Sequence, residues 1–154
     1  MDVFTFEMGE HTAEFPRGRQ YVANHMWATQ CAEYARRYRF GLTAYAVRLL
    51  QDVYFLDWVV QAGTPIGHRA VMGSIESKKA ESELYSPVAG TLTTINEDLL
   101  DDPSTINADT YGDGWMFEIE ADDIGPLLSA EQYAEHLIAA WAVAQRTIKG
   151  QANK

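Results

Sequence analysis

The sequence predicts a predominantly β domain, a compact barrel or sandwich, closed by one C-terminal helix. Three observations carry this. Short β-branched and aromatic segments recur between Gly, Pro and Asn punctuation; the helical signals among them last only one or two turns; and one long apolar period of three and four residues appears near the C-terminus. A chain of 154 residues suffices for one domain with a real core and is too short for two ordinary domains with a linker. The expected organisation is an irregular N-terminal segment over 1–20, a domain over 21–124, and a helix within 125–154 packed on that same domain.

Residues 1–20 show no clear period and contain Pro16, Gly18 and several charges, hence the irregular assignment. Residues 25–30 and 37–42 fit short strands, with Trp27, Tyr38, Phe40 and Leu42 available for a buried face. The link over 32–36 lacks a Gly or Asn turn signal, which predicts a longer or partly helical connection. Thr43 can accept a hydrogen bond from a free first-turn N–H, so a short helix should follow through Leu50. Residues 53–60 are β-branched and aromatic and end at the turn Ala62, Gly63, Thr64 and Pro65. Further strands are expected over about 70–76, after Ala80 in ESELYSPVAG up to the turn at Pro87 and Gly90, and over 91–95. Residues 96–103 read as a one- or two-turn helix and 115–120 as the last strand, after the turn Gly112, Asp113 and Gly114. Ser129 with Gln132 forms a capping box for a helix through about residue 148, in which Tyr133, Leu137, Ala140, Trp141 and Ala144 share a face and Gly150 is the expected stop.

Composition removes several function classes. Hydrophobic residues make up 47% and charged residues 22%, which excludes disorder of the whole chain. No window approaches the roughly 18 apolar residues of a membrane span, and the N-terminus lacks the basic start and apolar run of a signal peptide, so a cytoplasmic protein without a membrane partner is expected. Cys31 is the only cysteine, so redox chemistry would need a bound group. The net charge of −10 is uneven: residues 80–145 hold 14 of the 22 acids and no Lys or Arg. Such a surface repels nucleic acid and favours basic partner surfaces, although a solvated face or salt adaptation accounts for it equally. His11, His25, His68 and His136 lack metal-ligand spacing and are expected at the surface or satisfied. Trp115 and Phe117 are expected in the core, Cys31 as a packing residue, and Arg36, Arg37 and Arg39 on an exposed face. No nucleophile–base pair, phosphate loop or metal cluster is present, so no catalytic or metal residues are assigned and no enzyme is expected.

The informative segment is GSIESKKAESELYSPVAG, residues 73–90, where Lys78 and Lys79 sit between two predicted strands. A lysine that receives a swinging group must be enclosed by the modifying enzyme and then visit several partners. It therefore belongs at an exposed hairpin tip on a rigid scaffold. Taken alone, a lysine pair on a turn is an ordinary solvated feature. Here Gly73, Ser74, Glu76, Ser77, Lys79 and Ala80, followed by Tyr85, Ser86, Pro87, Val88 and Gly90, resemble the lipoylation region of glycine cleavage H proteins. The resemblance continues through NEDLLDDPSTINADTYGDGWMFEIE over 96–120 and upstream through GLTAYAVRLLQDVYFLD, with His25 and Trp27 similar to the family's His-Glu-Trp start. It spans about residues 25–123 and implies a lipoyl-type barrel-sandwich hybrid with short helical inserts, making 21–124 an H-protein-like domain.

By this resemblance Lys79 carries covalent lipoate. Glu76, three residues before it, and Gly90, eleven after, help the modifying enzyme recognise the hairpin. The implied partners are a lipoate-protein ligase or lipoyl synthetase, dihydrolipoamide dehydrogenase, and one set of client enzymes. Two departures bear on the clients: Lys78, where the family usually has an apolar or small residue, and the segment CAEYARRYRF in place of a Gly-containing turn. They favour the lipoate-binding branch of the heterodisulfide-reductase-like (Hdr-like) sulfur oxidation pathway over an H protein that shuttles the aminomethyl group in glycine cleavage. A β-sandwich interaction module without cofactor is the second alternative. Biotin carriers usually place their lysine between methionines, which residues 77–80 do not match.

Overall fold

The structure, a computed structural model, describes residues 2–152, with side chains through Arg146. The outermost residues of the two expected end segments, 1, 153 and 154, lie outside it. Eleven strands form three antiparallel sheets in the described chain. A hairpin joins β1 (Val3–Met8) to β2 (His11–Pro16). The largest sheet has the order β3 (Gln20–Val22), β4 (Met26–Gln30), β5 (Arg37–Leu42), β11 (Phe117–Ala121), β10 (Gly90–Ile95), β7 (Pro65–Ile66). The third orders β6 (Val53–Trp58), β8 (Val71–Ser77) and β9 (Glu81–Tyr85). Four helices, α1 (Ala44–Leu50), α2 (Asp98–Asp101), α3 (Thr105–Ala108) and α4 (Ala130–Ala152), complete a mainly β fold. No sheet among the described residues closes into a barrel.

Alternation builds the core, because successive strand side chains face opposite ways. In β11, Phe117, Ile119 and Ala121 are buried, while Glu118 and Glu120 are less enclosed. The inward residues of the six-stranded sheet, among them Phe40, Leu42 and Leu92, share one apolar cluster with Leu56, Met72, Ile75 and Leu84 of the three-stranded sheet. A second cluster joins Phe4, Phe15, Tyr21, Trp27, Tyr45, Tyr133 and Leu137 from the hairpin, the large sheet, α1 and α4.

The strands expected from sequence occur close to their expected places, and so do α1, α2 and α4. The capping box is present: the Ser129 N–H donates to Gln132 Oε1 (2.8 Å) and the Gln132 N–H to Ser129 Oγ (3.1 Å). Three expectations are corrected and one is narrowed. Residues 1–20 are not irregular: Phe4, Phe6 and Met8 alternate against Ala13 and Phe15, and Gly9, at φ 64°, makes the tight turn between them. The 31–36 link is the longer connection expected, but it contains no helix. It is closed by the Cys31 N–H on the Arg37 carbonyl (2.8 Å), with Glu33 supplying the left-handed residue (φ 76°) that no glycine announces. Trp115 is only half-buried, beneath the Arg39 guanidinium at 4.1 Å, whereas Phe117 is fully buried as expected. Finally, α4 runs through Gly150, since glycine costs a helix only about 1 kcal/mol relative to alanine and stops it mainly where a left-handed residue is needed.

The arginine cluster is matched across β5 and β11. Arg39 meets Glu118 (2.9 Å), Arg37 meets Glu120 (3.3 Å), and Arg36 donates to the Asp122 carbonyl (2.9 Å).

The hairpin is part of the folded unit. Phe15 is fully buried, stacked on Phe4 with ring centroids 4.8 Å apart and edge-on to Tyr133 at 5.8 Å. Phe15→Ala should cost about 3–5 kcal/mol in urea denaturation. A loss within about 0.5 kcal/mol, the scale of a surface change, would show the hairpin to be an independent appendage.

Candidate functional site

The β8–β9 hairpin pairs Glu76 with Glu81 and then turns through Ser77, Lys78, Lys79 and Ala80. Ser77, only 5% exposed, closes the turn three times over. Its N–H donates to the Ala80 carbonyl (2.9 Å), its hydroxyl donates to the same oxygen (3.0 Å), and its Oγ accepts from the Ala80 N–H (3.2 Å). Both lysine side chains are exposed.

Their backbone is not free. The Lys78 N–H donates to the Asp52 carbonyl (2.8 Å) and the Lys79 N–H to the Leu50 carbonyl (3.3 Å), on the connection from α1 to β6. That connection is itself clamped by Asn107 of α3, whose amide donates to the Gln51 carbonyl (2.7 Å) and accepts from the Val53 N–H (3.0 Å). The clamp holds Gln51 in a left-handed conformation, φ 60°. Behind it, α1 is capped by Thr43, whose hydroxyl also meets the Tyr133 hydroxyl of α4 (2.9 Å). The Ala44 N–H donates to the Tyr111 hydroxyl (3.0 Å), which donates onward to the Glu14 carbonyl of β2 (2.8 Å). The tip thus presents two exposed side chains from a backbone anchored to the α1–β6 connection, which α3 in turn clamps.

Glu76 lies at the base of this hairpin, half-buried between Phe55 and Glu81. Gly90 does not lie at the tip. It sits in the six-stranded sheet, paired with both Ala121 and Ile66, and a Cβ there would fall 2.1 Å from the Glu120 carbonyl oxygen. Its glycine is required by close strand approach. The crossover from β9 to β10 leads to it, with the buried Ser86 hydroxyl donating to the Val88 carbonyl (2.6 Å). Asn107, the clamp, was not singled out from sequence. It falls in the stretch Pro103 to Asn107 that carries part of the resemblance, but only the fold shows which backbone its amide bridges.

A small groove of about 180 Å³ opens beside the tip, lined by Met26, Leu49, Leu50 and Leu84 with His25 and Glu83. His25 is held at φ 68°, its Nδ1 within 2.8 Å of the Tyr133 hydroxyl and its ring 4.4 Å from Tyr45. Burial first, and then the neighbouring His136, lower its pKa to about 4. Cys31 lies in the β4–β5 link and not on the tip hairpin; burial and then Glu118 push its thiol pKa up. No group of three or more His, Cys, Asp or Glu among the described residues is arranged to hold a metal.

The lowered pKa of His25 makes stability depend on pH. As pH falls below about 6.5 the unfolded chain takes up a proton that the folded one refuses, so stability is full above that value and drains away toward pH 4. Between pH 7 and 4.5 the wild type should lose on the order of 2 kcal/mol more than His25→Gln in urea denaturation. Equal losses would show that His25 is not the titrating group.

The glycine cleavage H-protein family model matches residues 19–140, which take in both large sheets, the lysine turn and the start of α4. A glycine cleavage system H protein of Corynebacterium aurimucosum is 38% identical over 124 residues, covering 79% of this chain and 95% of its own. A probable glycine cleavage system H protein of Natronomonas pharaonis is 40% identical over 122 residues, covering 78% and 94%. The crystal structure of a glycine cleavage system H protein from Mycobacterium marinum matches with a TM-score of 0.70 at 33% identity, covering 79% of this chain and 97% of that one. The chain therefore belongs to the glycine cleavage H-protein family, whose members are lipoyl carriers and not themselves enzymes.

Proposed function

We propose that Lys79 bears the lipoyl group and that the chain presents it to the enzymes of the glycine cleavage system. The observation that supports this best is the tip itself: an exposed lysine whose backbone N–H is taken by the Leu50 carbonyl, on a turn closed by Ser77. The Lys78 side chain is exposed as well, and what favours Lys79 is its offset from Glu76 and Gly90. The chain's residues suit a lipoyl arm. The side chain points from a rigid hairpin into solvent, and the groove beside it has the apolar wall of Leu49, Leu50 and Leu84. When bound, the lipoyl dithiolane supplies reversible disulfide and dithiol chemistry. The chain's own part is to hold the lysine at a constant place and to dock, which makes transfer at each partner intramolecular within the complex.

The sequence departures that favoured sulfur oxidation lose weight. Arg37 and Arg39 are taken up by Glu120 and Glu118, and Cys31 lies in a separate turn with a raised pKa. The family match and the relatives favour glycine cleavage, so the order of the two pathways is reversed. The proposed partners are accordingly a lipoate-protein ligase or lipoyl synthetase, the glycine cleavage enzymes and dihydrolipoamide dehydrogenase, in the cytoplasm. No described helix is long and apolar enough to cross a membrane.

Intact mass tests the attachment. Protein made with a lipoate ligase and lipoate should gain one lipoyl group; Lys79→Ala should abolish the gain and Lys78→Ala should keep it. No gain, or the reverse pattern, overturns the assignment and returns the chain to a cofactor-free interaction module. The pathway is tested separately by offering the modified chain to glycine decarboxylase and aminomethyltransferase. Glycine-dependent turnover is expected, and its absence with fully lipoylated protein would argue for different clients.

A further inference from the structure

A second, larger cleft of about 530 Å³ adjoins the groove at the tip, sharing Asn24 and Tyr85 with it. It opens between the β3–β4 turn, the β7–β8 loop and the β9–β10 crossover, and its lining includes Val22, Pro87 and Pro126 beside His68 and Arg69. In a chain of net charge −10, this lining contains no carboxylate. No described ion pair, side-chain hydrogen bond or ring contact takes up the Arg69 guanidinium, in contrast to Arg17, Arg37 and Arg39. Asn24 donates one N–H to the Tyr85 carbonyl (3.2 Å), which leaves its other N–H available.

The backbone at Arg69 is unusual as well. Arg69 holds φ 67°, a conformation natural to glycine or asparagine and unfavourable for a long side chain. Two hydrogen bonds to the crossover keep it there: the Arg69 N–H donates to the Ser86 carbonyl (2.9 Å), and the Ser86 N–H donates to the Ala70 carbonyl (2.8 Å). A position where glycine would relieve strain thus carries a cation at the mouth of a cleft. Strain of this kind is often tied to a site's function.

We propose that this cleft binds a small organic anion from solution. Its oxyanion head is taken by the Arg69 guanidinium, whose planar fork suits a carboxylate, with His68 and Asn24 as flanking donors. Its short apolar body lies against Val22, Pro87 and Pro126. The occupant sits next to the groove at the tip, separated from it by the shared Asn24 and Tyr85.

The test uses the full chain without any lipoyl group, so it does not depend on the assignment of Lys79. Sodium butyrate is titrated at constant ionic strength while backbone amide NMR signals are followed, with butylammonium as the charge-inverted control. Saturable shifts are expected at Asn24, Arg69 and Tyr85 with butyrate and not with butylammonium. Arg69→Gly should weaken butyrate binding about ten-fold or more, the scale of losing one charge-assisted hydrogen bond, without lowering the thermal midpoint, because glycine accepts the positive φ. Arg69→Asn, which tolerates the same backbone and removes the charge, should weaken it equally. Absence of saturation, an equal response to butylammonium, or unchanged affinity in both variants overturns the proposal.

Discussion

Everything at the candidate site depends on how the lysine turn is tied to the connection between α1 and β6. A two-stranded hairpin on its own is marginal in water, and a turn bearing two adjacent ammonium groups gains nothing from their mutual repulsion. Here the N–H groups of Lys78 and Lys79 are spent on the carbonyls of Asp52 and Leu50, and Ser77 closes the turn from within. The backbone is therefore held by partners outside the hairpin, and the long side chains keep their freedom. A carrier needs this division: a constant point of departure and a mobile arm.

The anchor has to be rigid in its turn, and the rest of the fold supplies the rigidity in layers. Asn107 bridges both sides of the α1–β6 connection. Beneath α1, Tyr45 packs against His25 and Trp141, and the Tyr133 hydroxyl reaches both His25 and Thr43. The N-terminal hairpin joins through Glu14 and the Phe4, Phe15 and Tyr21 rings. That hairpin lies outside the 19–140 family match and contributes Phe4 and Phe15 to the second aromatic cluster, whose other large members, Tyr21, Trp27, Tyr45 and Tyr133, lie within that match. Because that core is aromatic and hydrogen-bonded at the ring edges, it both buries area and fixes direction.

Charge is distributed to fit the same plan. The acids of β11 are matched by Arg37 and Arg39 of β5 in register, so the sheet that carries many of them stays neutral along that seam. On the three-stranded sheet, Glu76 and Glu81 stand directly opposite each other beside the lysines, a pairing that sheet stability alone disfavours.

Much of this was legible in the sequence. The strand alternation, the Thr43 cap, the Ser129–Gln132 box and the lysine turn are written in nearest neighbours, because capping and pleating are local interactions with short periods. The family resemblance likewise singled out Lys79, Glu76 and Gly90. Tertiary structure decided the rest, through contacts between residues far apart in the chain. The hairpin at residues 3–16 is a strand pair because α4 and β3 cover its aromatic face. Gly90 is glycine because Glu120 passes within reach of any Cβ. Asn107 matters because 56 residues earlier the chain made a turn that needed both a donor and an acceptor. Local signals specify the elements and the lysine turn, but the anchoring of that turn arises only when distant backbone groups meet.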